Sequence, residues 1–347
     1  MQINKLYFLP IVILLITGSC SSEVKAPDTS DITVDFKVHR FEDTLYQINT
    51  TDVYMALDKL NNELPHFSKI YFTQILPLEN KDNFETFHAS IKNLTKDEAF
   101  KEIYNKVKAK YGDFSKYETE LNQAFKFLKY YFPNYPTPDV YTFTSYFGYQ
   151  SFIFEDGPQD GIGIGLDLFL GDQFDYKSLD PQNPMFSDYI TQFFEGNFIT
   201  KRIIEQIVDD KVGLVEGNKM IDHMIHQGKK LYMQKLLMPY HDESIIHEFT
   251  PEQMVWCDEN ESKIWSFFVD KELLYSTNVT EIKRYTDLAP TSRNMPAESP
   301  GRTGNYIGMK IIESYMKKYP ETSLTQLISM TDGTTFLQNS GYKPPRL

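Results

Sequence analysis

The chain has 347 residues, of which 41% are hydrophobic and 15% are aromatic, and its formal net charge is −13. This length allows one large domain or two closely packed ones, with a core in which large aromatic rings supply much of the buried area. A surface this acidic repels phosphate backbones and anionic lipid headgroups. The charge therefore argues against nucleic acid as a partner and against membrane attachment through a basic patch.

The amino terminus has the pattern of a bacterial lipoprotein signal peptide. Lys5 precedes an apolar run over residues 6–16, and the small residues 17–19 lead directly to Cys20. The apolar run is too short to span a bilayer, which takes about 20 residues. We therefore predict a signal peptide over residues 1–19, acylation of the Cys20 sulfur and a membrane-anchored domain outside the plasma membrane. A plain secretory signal with an incidental cysteine is the alternative.

A polar stretch follows the predicted signal peptide. Residues 20–31 are predicted to form a tether, and residues 32–347 are predicted to form a single domain. Apolar and polar residues alternate from Ile32 onward, which predicts a short strand ending at Arg40 and Phe41.

Two helices are predicted before the centre of the chain. Apolar residues share one helix face over residues 96–111, and Gly112 lies just past the end of that helix. Apolar residues also recur at near-helical spacing over residues 117–132, and a proline-rich segment beginning at Pro133 ends this second helix.

The centre of the chain is rich in strand-forming residues. Strands are predicted over residues 140–147, 151–154 and 161–171, and the last of these has apolar residues at every second position. Its alternate glycines, beginning at Gly161, fall on the opposite face, where the missing side chains allow a backbone or an aromatic ring to approach closely. These segments together predict a small antiparallel sheet.

Helical patterning resumes near Pro184. The predicted helices cover residues 185–194, 199–212, 219–237, 251–274, 305–319 and 323–330. Thr250 and Gln253 are spaced for a capping box around Pro251, which starts the fourth of these helices. The proline-rich segment over residues 289–302 is too long for a simple connection and is predicted to be a functional or packed surface element. The chain is therefore predicted to be α+β and predominantly helical.

Two common kinds of active site are absent from the sequence. The glycines around Gly161 do not form a phosphate-binding loop, because Leu166 stands in place of a glycine and no Gly-Lys-Ser/Thr follows. No Gly-x-Ser-x-Gly elbow is present. Cys257 lies among acidic residues that should raise its thiol pKa, so it is predicted to be a packed or partly exposed thiol. Once Cys20 is acylated, Cys257 has no disulfide partner in the chain.

Metal-dependent hydrolysis is the enzymatic alternative, because strands followed by an acid-bearing helix are similar to the layout of gluzincin-like peptidases. Those enzymes need His-Glu-x-x-His on one helix, whereas His247 and Glu248 are followed by Pro251, which starts a new helix. An unconventional zincin-type site would have to use a small set of histidines. These weak metal candidates are His223, His226 and His241.

Three polar or aromatic residues are candidates for a structural network or for partner docking. Glu261 shares a helix face with Trp265, and Arg302 ends the proline-rich segment just before a helix. We predict that Arg302 and Glu261 form a buried bidentate ion pair that pins this loop to a helix in a conformation suited to docking a partner. Plain surface placement of both residues is the alternative.

Several segments, taken in their order and spacing, carry a resemblance to a known family. They cover residues 129–133, 165–171, 228–232, 249–253, 256–261 with Trp265, 274–276, 299–304 and 340–344. Together with the lipoprotein start, they make nearly the whole mature chain resemble the gliding-motility lipoprotein family of the GldB type.

The resemblance implies a lipoprotein that faces the periplasm, is required for gliding motility and is linked with the type IX secretion apparatus. It implies no enzymatic activity, no cofactor, and partners among other envelope proteins of gliding or secretion. It also implies a zincin-like architecture without metal ligands, and Gln227 and Gly228 stand where zincin-like relatives carry Glu-Gly. Attachment to the inner or the outer membrane stays open, and Ser21 and Ser22 favour the outer one.

Overall fold

The computed structural model describes residues 26–48, 52–76 and 83–345. This part of the chain is mostly helical with one small sheet, which confirms the predicted α+β class. Within it, no helix combines the length and the apolar character needed to cross a membrane. The predicted signal peptide, Cys20 and residues 21–25 of the predicted tether lie outside the described residues.

The sheet is mixed, and the prediction of an antiparallel sheet was wrong for two of its three strand pairs. Its strands are β1 (Val38–Arg40), β2 (Asp139–Phe143), β3 (Ser151–Asp156) and β4 (Gln159–Gly165). The spatial order is β1-β2-β4-β3, in which β1 pairs with β2 and β2 pairs with β4 in parallel. Only β3 and β4 form an antiparallel hairpin, because a tight turn joins them while longer connections separate the other pairs.

Three predicted strands are shorter in the structure, and the one predicted over residues 140–147 ends at Phe143 as β2. Pairing with β2 begins only at Val38, and the chain enters a helix directly after Arg40. The strand predicted to continue to residue 171 ends at Gly165 and turns into a 3₁₀ helix over Leu166–Phe169. The period-two pattern fails there because the chain bends to bring Asp167 under the turn that follows β2.

The glycine face of β4 receives aromatic rings, as the sequence predicts. A Cβ atom on Gly161 would lie 2.3 Å from Cζ of Phe154, and one on Gly163 would lie 2.6 Å from Cζ of Phe152. Both rings come from the neighbouring strand β3. The glycines therefore leave the space that these rings fill.

The helices before the hairpin pack mainly around one face of the sheet. They are α1 (Phe41–Tyr46), α2 (Val53–Glu63), α3 (Pro65–Ile70), which continues as a π turn over Tyr71–Ile75, α4 (Phe84–Leu94), α5 (Glu98–Tyr111) and α6 (Ser115–Tyr131). Tyr141, Phe143 and Phe154 of the sheet join a core with α1 to α4 and the start of α5. The helices predicted over residues 96–111 and 117–132 are confirmed as α5 and α6.

The remaining helices form the larger core together with α6 and most of α5. They are α7 (Asp188–Thr191), α8 (Ile199–Val212), α9 (Met220–Leu237), α10 (Glu243–His247), α11 (Pro251–Asp270), α12 (Val279–Thr286), α13 (Thr303–Lys318), α14 (Leu324–Ser329) and α15 (Gly333–Ser340). Val140, Ile162 and Ile164 face this core from the other side of the sheet, so the two cores share the sheet. The predicted capping box is present, because Thr250 Oγ1 accepts from the Gln253 amide and the Gln253 side chain accepts from the Thr250 amide.

One predicted helix is replaced by shorter pieces. Residues 185–194 form a 3₁₀ turn over Pro184–Phe186 and the short helix α7 instead of a continuous helix. Ser187 between them has an extended backbone, which interrupts the helical hydrogen bonds.

The start of the described chain is packed rather than free. Ala26 contacts the larger core, and Thr29 is 6% exposed, with its Oγ1 accepting a 3.1 Å hydrogen bond from Nε2 of Gln123 on α6. Two residues of the predicted tether, Ala26 and Thr29, thus contact the folded body, while Asp28, Ser30 and Asp31 are exposed.

Helices α9 and α13 cross with their backbones in direct contact. A Cβ atom on Gly228 would lie 2.3 Å from the carbonyl carbon of Gly308, and one on Gly308 would lie 1.9 Å from the carbonyl oxygen of Met224. Backbone cannot move aside as a flexible side chain can. Glycine at both positions is thus a condition for this crossing.

The turn after β2 contains two aromatic residues in the left-handed region, Tyr146 (φ 53°) and Phe147 (φ 63°). The buried carboxylate of Asp167 holds this turn, because its Oδ2 accepts from the amides of Ser145 at 2.9 Å and Phe147 at 2.7 Å. Burial raises the pKa of Asp167 to about 6, against the opposing effect of these two amides.

Substituting Gly308 with alanine should destabilise the protein. At an open helix position the same change favours folding by about 1 kcal/mol, but here the added methyl group meets the Met224 backbone, and overpacking costs about 1–3 kcal/mol or more. Urea unfolding measures the difference. Lys317→Ala, at an exposed position of the same helix, is the control, and a Gly308→Ala protein as stable as wild type would contradict the close crossing.

The variant Asp167→Asn should change how stability depends on pH. Folded Asp167 keeps its proton between the ordinary pKa of 3.8 and about 6. Wild type should therefore lose up to roughly 3 kcal/mol of stability as the pH rises through that window. Asparagine keeps an acceptor for both amides and does not ionise, so the variant should lack this loss. Urea unfolding of both proteins at about pH 4 and about pH 7 tests it, and parallel pH profiles would reject the assignment.

Candidate functional site

The candidate site is a buried carboxylate surrounded by three cations. Glu248 lies between α10 and α11, is 2% exposed and has a left-handed backbone with φ 52°. Its Oε1 pairs with Lys201 Nζ at 3.1 Å and with Arg202 Nη2, and its Oε2 pairs with Arg302 Nη1 at 2.9 Å. We call these residues, together with Glu205, the Glu248 cluster.

Glu205 completes the cluster from within α8. Its two carboxylate oxygens pair with Lys201 Nζ at 2.7 Å and with Arg202 Nη1 at 2.6 Å. The spacing of four and three residues places all three side chains on one face of the helix. The cluster thus contains three cations and two carboxylates, which leaves one positive charge.

The electrostatics of Glu248 are set by two opposing effects. Burial by itself would raise its pKa, but the charges of Arg202, Lys201 and Arg302 outweigh burial and hold the pKa well below its ordinary value of 4.5. Glu248 is therefore ionised throughout the physiological range. A buried ion with this many partners stabilises the fold only while every partner is present.

Arg302 connects the cluster to the proline-rich loop, defined here as residues 289–302. Its backbone is left-handed with φ 59°, and its Nη2 also donates to the carbonyl oxygen of Glu248 at 3.3 Å. Two ion-paired residues, Glu248 and Arg302, thus both adopt a conformation that costs a non-glycine residue free energy. Such strain persists only where the surrounding contacts enforce it.

The ends of the proline-rich loop meet. A Cβ atom on Gly301 would lie 2.4 Å from the carbonyl oxygen of Ala289, so the two backbones are in contact. Two hydrogen bonds hold the loop to the flanking helices. Ser292 Oγ shares one of 2.7 Å with Thr303 Oγ1 of α13, and the Tyr285 hydroxyl of α12 donates to the carbonyl oxygen of Arg293 at 3.1 Å. The loop has the closed form of an Ω-loop, a type that is frequently functional.

A cavity of about 270 Å³ lies between this loop and α7. Glu248 and Arg302 form part of its wall, and Tyr189, Phe193 and Pro290 supply apolar surface. The cavity joins the charged cluster to the inner side of the loop. It is small for a ligand site, because such sites usually span about 300–1,000 Å³.

The predicted ion pair between Arg302 and Glu261 was wrong. Arg302 does pin the loop to the helical body, but its partner is Glu248. Glu261 instead accepts a 2.9 Å hydrogen bond from the Tyr342 hydroxyl, and Trp265 contacts the same ring edge-on at a centroid distance of 5.2 Å. Glu261 and Trp265 therefore hold the carboxyl-terminal segment against α11.

The three candidate metal ligands do not come together. His223 and His226 lie on α9, whereas His241 follows that helix and approaches Glu120 Oε2 at 3.7 Å. The helix rises about 16 Å between His226 and Leu237, which separates the pair from His241. Among the residues that the structure describes, no three His, Cys, Asp or Glu side chains are placed to hold one metal ion.

Cys257 is a packed thiol, which is the first of the two placements predicted from the sequence. It is 0% exposed, and burial followed by the charge of Asp258 raises its pKa. A buried thiol with a raised pKa is a poor nucleophile.

Sequence reasoning missed Lys201, Arg202 and Glu248 as site residues. A local signal was present, since a basic pair followed by Glu205 at helical spacing favours ion pairs on one helix face. No local pattern links that helix to Glu248, which follows 46 or 47 residues later. Only the packing of α8 against the junction between α10 and α11 brings them together.

Comparison with known proteins gives the family. The chain belongs to the family described as gliding motility protein GldB, whose model matches residues 22–344. Membership implies a gliding-motility lipoprotein, anchored by lipid in the cell envelope, that interacts with other motility proteins there. No curated protein and no solved structure matches the chain significantly, so the zincin-like architecture stays a prediction.

Replacing Glu248 with glutamine should strongly destabilise the protein, because Arg302 loses its carboxylate partner and Lys201 and Arg202 each lose one of two, while the shape is kept. Breaking a buried ion pair in this way costs about 3–5 kcal/mol. The stability advantage of wild type over this variant should shrink as the pH falls from the ordinary pKa of 4.5 towards the lowered pKa of folded Glu248. A carboxyl whose pKa is lowered by folding contributes its full stability only above its ordinary pKa.

Chemical unfolding at neutral pH measures this change, with Glu259→Gln at an exposed position of α11 as the control. Equal stability of Glu248→Gln and Glu259→Gln would show that the cluster does not hold the loop.

Proposed function

We propose that the chain is a non-catalytic component of the gliding apparatus, tethered by lipid at Cys20, with its folded domain facing the periplasm and associated with the type IX secretion machinery. The family match supports a role in motility, and the signal pattern around Cys20 supports the anchor. The folded domain contributes a preformed docking surface rather than a reactive group.

The proline-rich loop is the observation that carries this proposal. Ser292, Ser299 and Pro300 are buried and hold it, while Arg293 and Pro296 are exposed on its outer side. Its contacts with Tyr285 and Thr303, together with the ion pair of Arg302, hold the loop in one conformation in the absence of a partner. A preordered loop loses little conformational entropy on binding, which favours affinity.

The state of the charged and nucleophilic groups supports a role without catalysis. Glu248 is occupied by three cations and has a lowered pKa, so it is a poor general base. Cys257 is buried with a raised pKa, and the histidines of the hydrolase alternative are divided between distant positions. The geometry thus favours recognition over bond breaking.

The variant Arg293→Glu should impair motility without unfolding the protein, because only its side chain changes while its carbonyl still accepts from Tyr285. Loss of an arginine anchor at an interface costs about 2 kcal/mol, or roughly 30-fold in affinity. Colony spreading of a deletion strain complemented with each gene measures the effect. Lys271→Glu, an equal charge change at an exposed position after α11, is the control.

Cys20→Ala in the same strain should move the protein out of the membrane fraction and abolish complementation. Normal spreading with Arg293→Glu would contradict docking through the loop, and normal spreading of the deletion strain itself would reject the motility role. A stoichiometric metal in the purified protein, or turnover of a peptide, would overturn the non-catalytic part.

A further inference from the structure

The chain is fixed to the folded body only six residues after Cys20. Ala26 packs on the larger core, Thr29 is held by Gln123, and the Phe36 ring meets the Phe125 ring edge-on at 4.9 Å. The contacts of Thr29 and Phe36 both lie on α6. An amino-terminal lipid would thus act on this one face of the molecule.

The short reach of the remaining chain limits the distance to a membrane. Six extended residues span at most about 20 Å, which is less than the length of α9 at about 26 Å. With Cys20 acylated, Ala26 therefore stays within about 20 Å of the bilayer surface. This step depends on the lipid anchor of the proposed function.

A groove of about 620 Å³ lies beside the point of attachment. Gln123, which holds Thr29, is part of its wall, and the accessible apolar surface comes from Pro239 and Tyr240, because Ala124, Leu237 and Met238 behind them are each at most 2% exposed. Pro239 and Tyr240 form its outer edge, and Tyr240 is 74% exposed. An exposed tyrosine beside apolar surface suits the boundary between headgroups and acyl chains, where tyrosine is enriched.

The charges at the groove favour a neutral lipid surface. Glu120 is paired with Thr200 at 2.6 Å, His241 at 3.7 Å and the exposed Lys116 at 3.8 Å, whereas Glu118 at the wall is exposed and leaves the groove a negative charge. Carboxylates repel anionic headgroups, so contact with lipid must rest on Pro239 and Tyr240 rather than on charge.

We propose that the face formed by Ala26, Thr29, Gln123, Pro239 and Tyr240 lies against the zwitterionic headgroup region of the membrane, with the Tyr240 ring at the interface. The opposite end of α9 then points away from the bilayer. There the Met220 amide donates to the carbonyl oxygen of Ser276 at 2.9 Å, beside Tyr275, which is 56% exposed. Tyr240 and Tyr275 are therefore two exposed tyrosines at opposite ends of one helix.

Fluorescence quenching in vesicles tests this orientation. Full-length lipidated protein carrying Tyr240→Cys or Tyr275→Cys is labelled with a thiol-reactive fluorophore and reconstituted in phosphatidylcholine vesicles that contain a lipid-bound quencher near the headgroups. Cys257 is fully buried and Cys20 is acylated, so labelling is confined to the introduced cysteine. Both positions are exposed, and equal melting temperatures of the two variants serve as the folding control.

The label at position 240 should lose most of its emission, and the label at position 275 should keep nearly all of it. Equal quenching at both positions, or stronger quenching at position 275, would overturn the orientation while leaving the anchor intact. Failure of the acylated wild-type protein to float with the vesicles would instead reject the anchor of the proposed function. The two failures are thus distinguishable.

Discussion

Burial of the Glu248 carboxylate is the constraint on which the packing around the proline-rich loop depends. Removing an ion from water costs several kcal/mol, and that cost is met only when fixed countercharges surround it. Here the cations come from two separate parts of the chain, Lys201 and Arg202 at the start of α8 and Arg302 at the end of the loop. The loop can leave its position only by breaking the ion pair between Arg302 and the buried Glu248, so this pair holds the loop and the helices as one unit.

The first turn of α8 links this cluster to the groove beside the amino-terminal attachment. Thr200 donates to Glu120 on α6, while the next residue, Lys201, pairs with Glu248. The groove beside the amino-terminal attachment and the anchored loop are therefore joined through adjacent residues of one helix. A body held at a membrane by its first residues would present the loop in a defined position, which is what docking without catalysis requires.

Local features were predictable because they depend on neighbours in sequence. Helical periodicity gave α5, α6, α8 and α9, and the spacing of Thr250 and Gln253 gave the capping box. The glycines of β4 predicted the approach of aromatic rings, since a missing side chain has the same steric consequence in any fold. Strand direction was not predictable in this way, because residue pattern alone does not say which strands become neighbours.

The sequence by itself determined the mostly helical α+β class, the lipoprotein start and the choice of Arg302 as a residue that pins the proline-rich loop. The tertiary structure decided that Glu248 rather than Glu261 is its partner, that the sheet is mixed, and that Thr29 is held by Gln123 of α6. The physical reason is the same in each case. Local pattern places Glu248 near a helix end and Glu261 on a helix face, but it does not decide which of them pairs with Arg302. The cost of burying a charge depends on which cations are near it in space, and only the packed chain sets that distance.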